Sequence, residues 1–386
     1  MTPIRYGMVG GGPGAFIGAV HRMAASLDGQ FDLVAGAFSA DPSKSRDMGE
    51  GLGLQGERVY GDFREMISAE AEREDGIDAV VIVTPNYLHY PVAHACLSAG
   101  LHVICDKPLT TTMEDADMLC QMASEGGLVF AVTYNYTGYP LVKEARERVA
   151  AGELGALRKV VVEYSQGWLR TLLEAEGQKQ AEWRGDPERA GVSSALGDIG
   201  THAFNLLHYV TGLETHRLFA DLGTVVEGRA MEDDATVLLE LDRGVRGVML
   251  VSQVATGERN HLRLRVYGAD GALDWCQEDP DRLRLLDTDG TETMLFRGGQ
   301  LGAGAVDATR LPGGHPEGFI EAFANIYRGV ARAIRNEGDG DKAAPDYPTV
   351  QDGALGVRFV HRAVESSQSK RWVEMSQVSD NMDTAI

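Results

Sequence analysis

The chain has 386 residues, 44% hydrophobic and 24% charged, the composition of a folded globular protein and not of a disordered or fibrous one. Single cores stop growing near ~250 to 300 residues, so two domains are expected. Asp and Glu number 57 against 36 Lys and Arg, and the formal charge of -21 argues against nucleic acid and anionic membrane as partners. No run approaches the ~18 apolar residues of a membrane helix, and the first residues enter a strand pattern without a basic segment and apolar signal core. A cytoplasmic protein is expected. Cys96, Cys105, Cys120 and Cys276 are widely spaced without a C-x-x-C pair, which fits reduced thiols better than a disulfide framework.

Residues 4–9 read as a strand, followed by a Gly-rich turn and an Ala-rich helical stretch at 15–26. Further strands are predicted at 31–38, 79–83, 102–105 and 128–133, with helical intervals at 62–74, 88–98 and 113–124. This alternation predicts an α/β fold that opens with a doubly wound parallel sheet covered on both faces. After residue 134 the rhythm changes. A helix at 141–151, a strand at 158–164 and a polar excursion at 171–191 precede strands at 236–242, 247–253, 262–267 and 282–286. These predict a second, α+β domain at 135–375 on a large, mostly antiparallel open sheet, after a first domain at 1–134. Residues 317–333 place Phe319, Ile320, Phe323, Ile326, Tyr327 and Val330 on one helical face, expected to pack on that second sheet or beside the cleft. Residues 376–386 read as a flexible tail.

The turn after the first strand is Gly10-Gly11-Gly12-Pro13-Gly14-Ala15, a G-x-G-x-x-G/A pattern between strand and helix. Gly10 suits the tight turn, Gly12 lets backbone approach a pyrophosphate, and small Ala15 is expected to let the helix sit close to the sheet. The pattern reads as the phosphate cradle of a Rossmann dinucleotide-binding domain, or as a plain strand-to-helix turn. An NAD enzyme usually places an acidic residue at the end of the second strand; here that place holds Ser39, with Asp41, Lys44 and Arg46 beyond. A hydroxyl and cations suit a 2′-phosphate, so NAD and NADP both remain as cofactors, with surface charge as the alternative role of Lys44 and Arg46. Thr84, Asn86 and His89 follow the strand at 79–83, at the edge where cofactors bind and where helix caps also sit.

Asp106-Lys107-Pro108 follows the strand at 102–105. Lys107 there offers positive charge to an alcohol oxygen that becomes alkoxide-like as hydride leaves, unless it is an ordinary surface lysine. Asp198 and His202, four apart at the start of a helix that stops at Gly212, suit a base that takes an alcohol proton and a carboxylate that orients ring or substrate. A capping Asp and a structural His are the bland alternative. Histidine and carboxylate spacings predict no metal centre.

Together these pieces resemble the Gfo/Idh/MocA family, which includes glucose-fructose oxidoreductase and inositol dehydrogenases. The family's E-K-P motif is met by Asp106-Lys107-Pro108 and its D-x-G-x-H motif by Asp198, Gly200 and His202. The resemblance implies catalytic roles for Lys107 and His202 with Asp198 on substrate. It implies a cofactor site lined by Gly10, Gly12, Pro13, Gly14, Ala15, Ser39, Lys44, Thr84, Asn86, His89, Asp106, Lys107 and Asn135, approached by Trp183 and Arg184. Asp106 departs from the usual Glu, and the 135–140 stretch lacks an Arg often found there. Tyr136, Trp168, His315 and Glu317 suit a polyhydroxylated ring, or packing and capping in the case of His315 and Glu317. The implied activity is hydride transfer between a ring secondary alcohol of a sugar, glycoside or cyclitol and NAD(P), in a homodimer or homotetramer. The alternatives are an NAD-dependent redox-neutral glycoside hydrolase and an inactive nucleotide-binding sensor.

Overall fold

The structure is a computed structural model in which residues 2–177, 187–335 and 345–376 are described. Contacts divide the chain into two compact units, one of Met1–Glu144, Glu188–Gly191 and Phe296–Val357, the other of Ala145–Pro187, Val192–Leu295 and Arg358–Ile386. Trp183 and Arg184 lie outside the described residues. Among the described residues no helix is long and apolar enough to cross a membrane, and the four cysteines form no disulfide.

The first unit is a parallel sheet of β1 (Ile4–Gly10), β2 (Phe31–Ala37), β3 (Ala79–Val83), β4 (His102–Cys105) and β5 (Phe130–Val132), in the order β2-β1-β3-β4-β5. Alternate residues of a strand face opposite sides. Tyr6, Met8, Val81 and Val83 accordingly join one core, and Val9, Val80 and Ile82 the other. Both faces are apolar because both are covered. One is covered by helices α3 (Phe63–Ala71), α4 (His89–Ser98) and α5 (Met113–Gly126), with Val350, Ala354 and Val357. The other is covered by α1 (Phe16–Leu27) and by a 17-residue helix at Phe319–Arg335. The sequence put that last helix on the second sheet or beside the cleft. Its Phe323, Ile326, Tyr327 and Val330 instead pack with Tyr6, Val20 and Val81 of the first unit, where His21 Nδ1 also meets the Tyr327 hydroxyl at 2.7 Å. Periodicity identifies an apolar face but not the surface that covers it.

A helix at Pro42–Gly51, α2, was absent from the sequence expectation although its signal was present. Asp41 caps it by accepting from Ser43 N at 3.0 Å, and Pro42 occupies the first turn.

The second unit is a nine-stranded sheet, ordered β13-β12-β11-β10-β6-β9-β8-β7-β14, in which β7 is Thr215–Gly223, β11 Gly271–Cys276, β12 Arg282–Asp287, β13 Glu292–Phe296 and β14 Val373–Glu374. The strands that matter for the site are β6 (Leu157–Ser165), β8 (Asp234–Leu241), β9 (Arg246–Ser252) and β10 (His261–Gly268). β6 and β9 run parallel, while β6 with β10 and β8 with β9 run antiparallel. One face buries Val160, Val162, Val237, Leu239, Met249, Val251, Leu262 and Leu264. The helix at Thr201–Thr211 ends at Gly212, whose φ of 64° is the left-handed stop expected of a glycine there. The edge at β7 (Thr215–Gly223) is partly satisfied by Ser366 and Ser367, whose hydroxyls accept from Ala220 N and Leu222 N at 3.0 Å.

Candidate functional site

The carboxyl edge of the parallel sheet collects most of the residues proposed for the cofactor. Gly10 stands at φ +88°, and a Cβ on Gly12 would meet the Phe38 carbonyl oxygen at 2.6 Å, so the loop runs too close to the end of β2 for any side chain. Pro13 and Gly14 form its exposed tip. Close packing of α1 is owed to a different residue from the one expected. Ala15 is half-exposed at the helix start, whereas a Cβ on Gly18 would meet Gly11 Cα at 2.5 Å. The signal was a second glycine one turn into the helix.

The first turn of α1 has neither a side-chain cap nor an acidic residue. Its N–H groups therefore face outward with the positive end of the helix dipole behind them. Thr84 Oγ1, beyond β3, and Asn135 Nδ2, beyond β5, are buried without hydrogen-bond partners among the described residues. Buried polar atoms rarely stay unpaired, and these two stand where a nucleotide's polar groups would satisfy them. The residues present fit a dinucleotide.

Asp106 is fixed between β4 and β5: its Oδ1 accepts from Lys107 N at 2.9 Å and from Thr133 Oγ1 at 3.0 Å. Lys107 next to it is half-buried. Asn86 is committed to the Ala190 carbonyl at 3.0 Å. His89 is a correction. It is 1% exposed, and its two ring nitrogens face the carbonyls of Pro108 at 2.7 Å and Thr84 at 3.0 Å, leaving none for a nucleotide. As a neutral ring it donates to one of these carbonyls at a time, burial holding its pKa below the ordinary histidine range against the pull of Asp106. Ser39 Oγ accepts from Asp41 N at 3.1 Å, and exposed Lys44 lies 3.6 Å from Asp41 Oδ2. The Asp41 carboxyl is held below its usual range by the Ser43 hydroxyl and by backbone N–H groups.

Tyr136 is buried, its ring parallel to that of Tyr139 and edge-on to Phe319. Glu317 serves its own turn through Oε1. Its buried carboxylate takes Arg297 Nη1 at 3.0 Å and Arg310 N at 2.7 Å, closing the turn on which His315 stands exposed.

In the second unit, Asp198 lies in a π-helical turn, Leu196–Gly200, that runs into the helix of His202. Such turns concentrate at functional sites. Asp198 is not the cap of this run. That task falls to Glu232, whose Oε1 accepts from Ser193 Oγ at 2.6 Å, Ser194 N at 2.8 Å and Leu196 N at 3.2 Å, while burial pushes its pKa up. Asp198 Oδ2 instead accepts from Gln253 Nε2 at 2.9 Å. His202 is 8% exposed, its ring 6.4 Å from that of Tyr164. Trp168 donates from Nε1 to Gln166 Oε1 at 3.0 Å. Gln166, Gln253 and Glu232 were not singled out in the sequence, where no motif marks them. Their signal was a polar residue at a strand end or in a tight loop.

Residues 4–134 match the oxidoreductase family with NAD-binding Rossmann fold, and residues 142–274 match the GFO/IDH/MocA C-terminal domain. A relative from Bacillus subtilis (strain 168), the uncharacterized oxidoreductase YfiI, is 34% identical over 383 residues, 96% of this chain and 97% of its own. An inositol dehydrogenase homolog from Azotobacter vinelandii, complexed with NAD+, superposes with a TM-score of 0.94 at 40% identity over 97% of both chains. A crystal structure of an inositol dehydrogenase homolog from the same organism, complexed with NADH and myo-inositol, gives 0.89 at 38% identity, over 97% of this chain and 98% of that one. The chain belongs to the GFO/IDH/MocA family of NAD(P)-dependent oxidoreductases.

Proposed function

We propose that the protein oxidises a ring secondary alcohol of a small cyclitol, sugar or glycoside, reversibly and with NAD(P). The observation that carries this reading is the set of unsatisfied groups at the sheet edge: the uncapped start of α1, Thr84 Oγ1 and Asn135 Nδ2. The bound nicotinamide supplies the hydride acceptor. His202 takes the hydroxyl proton, Lys107 holds positive charge toward the alcohol oxygen, and Asp198 and Trp168 orient the ring. Myo-inositol in the A. vinelandii homolog supports a polyhydroxylated ring as substrate class.

The test is NAD(P)H absorbance with NAD or NADP crossed against inositols, monosaccharides and glycosides. Signal growth with one of them is expected. A flat response with sugar release would replace the reading by redox-neutral glycoside hydrolysis, and tight cofactor binding with no turnover would replace it by a sensor.

A further inference from the structure

Gln166 and Gln253 directly follow β6 and β9, and these strands are paired in parallel with Ser165 opposite Ser252. Both side chains therefore arise at the same end of the sheet. Gln253 is fully buried, and its Nε2 donates to Asp198 Oδ2 at 2.9 Å and to Gln166 Oε1 at 3.4 Å. Gln166 Oε1 also accepts from Trp168 Nε1 at 3.0 Å, and Gln166 Nε2 donates to Asn260 Oδ1 at 2.7 Å. The same Asn260 oxygen accepts from the Tyr164 hydroxyl at 2.8 Å, and the Tyr164 ring is the neighbour of His202. One chain of hydrogen bonds thus links Asp198 and Trp168 and reaches the ring beside His202.

An amide has one donating and one accepting end, whereas an ionised carboxylate only accepts. Facing the oxygens of Asp198 and Gln166, Gln253 has to present its NH2. Its Oε1 is left buried without a partner among the described residues. An apolar side chain of similar size at this place removes that acceptor but also takes the donor away from Asp198 Oδ2 and Gln166 Oε1, so the two effects on stability oppose each other.

We propose that Gln253, coupled to Gln166, is a positioning residue that fixes Asp198 and Trp168 as a unit and so sets affinity for a polyhydroxylated ring. The inference rests on the roles proposed above for Asp198 and Trp168. Its test measures kcat and KM for myo-inositol with NAD+, together with urea unfolding, in the wild type, Gln253→Leu, Asp198→Asn and the double variant. Loss of a hydrogen bond to a charged group predicts a KM about tenfold higher or more in Gln253→Leu, with kcat changed far less. Its unfolding midpoint is expected close to that of the wild type, because the lost donations and the removed acceptor offset each other. The double variant is expected to lose less than the sum of the two single losses, because part of the effect of Gln253 passes through Asp198. Additive losses or an unchanged KM would each overturn the proposal. Crystal structures of the wild type and Gln253→Leu provide a readout independent of substrate. A displaced Asp198 carboxylate supports the relay, and an undisturbed one refutes it. Absence of any polyol oxidation by the wild type would sink the dehydrogenase reading alone, leaving these structures to decide on Gln253.

Discussion

His202 and Lys44 show how differently single side chains are committed. His202 is nearly enclosed beside Tyr164, in the setting of a proton acceptor, and general bases contribute about 10² to 10⁴ in rate. His202→Ala is therefore expected to lower kcat by that order while NADH binding, followed by fluorescence, stays intact; wild-type turnover in this variant would remove His202 as the base. Lys44 is exposed on the first turn of α2, 3.6 Å from Asp41. If it receives a 2′-phosphate, Lys44→Ala raises the KM for NADP by about tenfold and leaves that for NAD nearly unchanged. Equal effects on both cofactors would return Lys44 to the solvated surface. His89 and Glu317 are packed differently, His89 between two carbonyls and Glu317 with Oε1 on Arg297.

At the scale of elements, two joints invite measurement. The α1 contact with the Phe319–Arg335 helix buries His21 completely and pulls its pKa down to about 4. The unfolded chain, with a histidine pKa near ~6.5, takes up this proton at higher pH than the folded one. The contribution is therefore intact above ~6.5 and is lost at about 1.4 kcal/mol per unit as pH falls from ~6.5 toward the folded value. Urea unfolding across that window is expected to show a shallower fall for His21→Leu than for the wild type; identical slopes would show that His21 carries no such linkage. The second joint is Arg229, whose side chain is 3% exposed. It donates to Leu169 O at 2.9 Å, Thr171 O at 2.8 Å, Glu174 Oε1 at 2.7 Å and Asp233 Oδ2 at 2.9 Å. It fastens the loop that carries Trp168. Removing one partner of such a buried set costs about 3 to 5 kcal/mol, so Arg229→Met is expected to lose that much in urea unfolding and to raise KM for the polyol. A loss below about 1 kcal/mol would show that the loop is held by other contacts.

At the scale of the whole molecule, the second sheet buries one face and exposes much of the other. Leu238 and Leu250, 39% and 40% exposed, lie on neighbouring strands of that open face, with Val248 opposite Leu238 in register. A chain of charge -21 that leaves such residues in water has an apolar strip to cover with a second copy. We expect a homodimer or homotetramer through this face. Light scattering after size exclusion should show the oligomer, and the double variant Leu238→Glu and Leu250→Glu should dissociate it. A monomeric wild type would dismiss the expectation.

The sequence by itself determined the parallel β/α half, the strand-rich second half and the two motif segments, because those signals are local. Strands reveal themselves by alternation and burial, and a glycine-rich turn by the conformations it permits. It also placed Lys107 beyond β4 and His202 on its helix, since position relative to an element is a property of the neighbouring residues. What covers each apolar face was decided by tertiary structure alone, as the Phe319–Arg335 helix shows by joining the first sheet. The same holds for the polar contacts of the site. Asp198 meets Gln253 across 55 positions and Gln253 meets Gln166 across 87, separations at which no periodicity operates. Only the parallel pairing of β6 with β9 brings those amides to one end of one sheet.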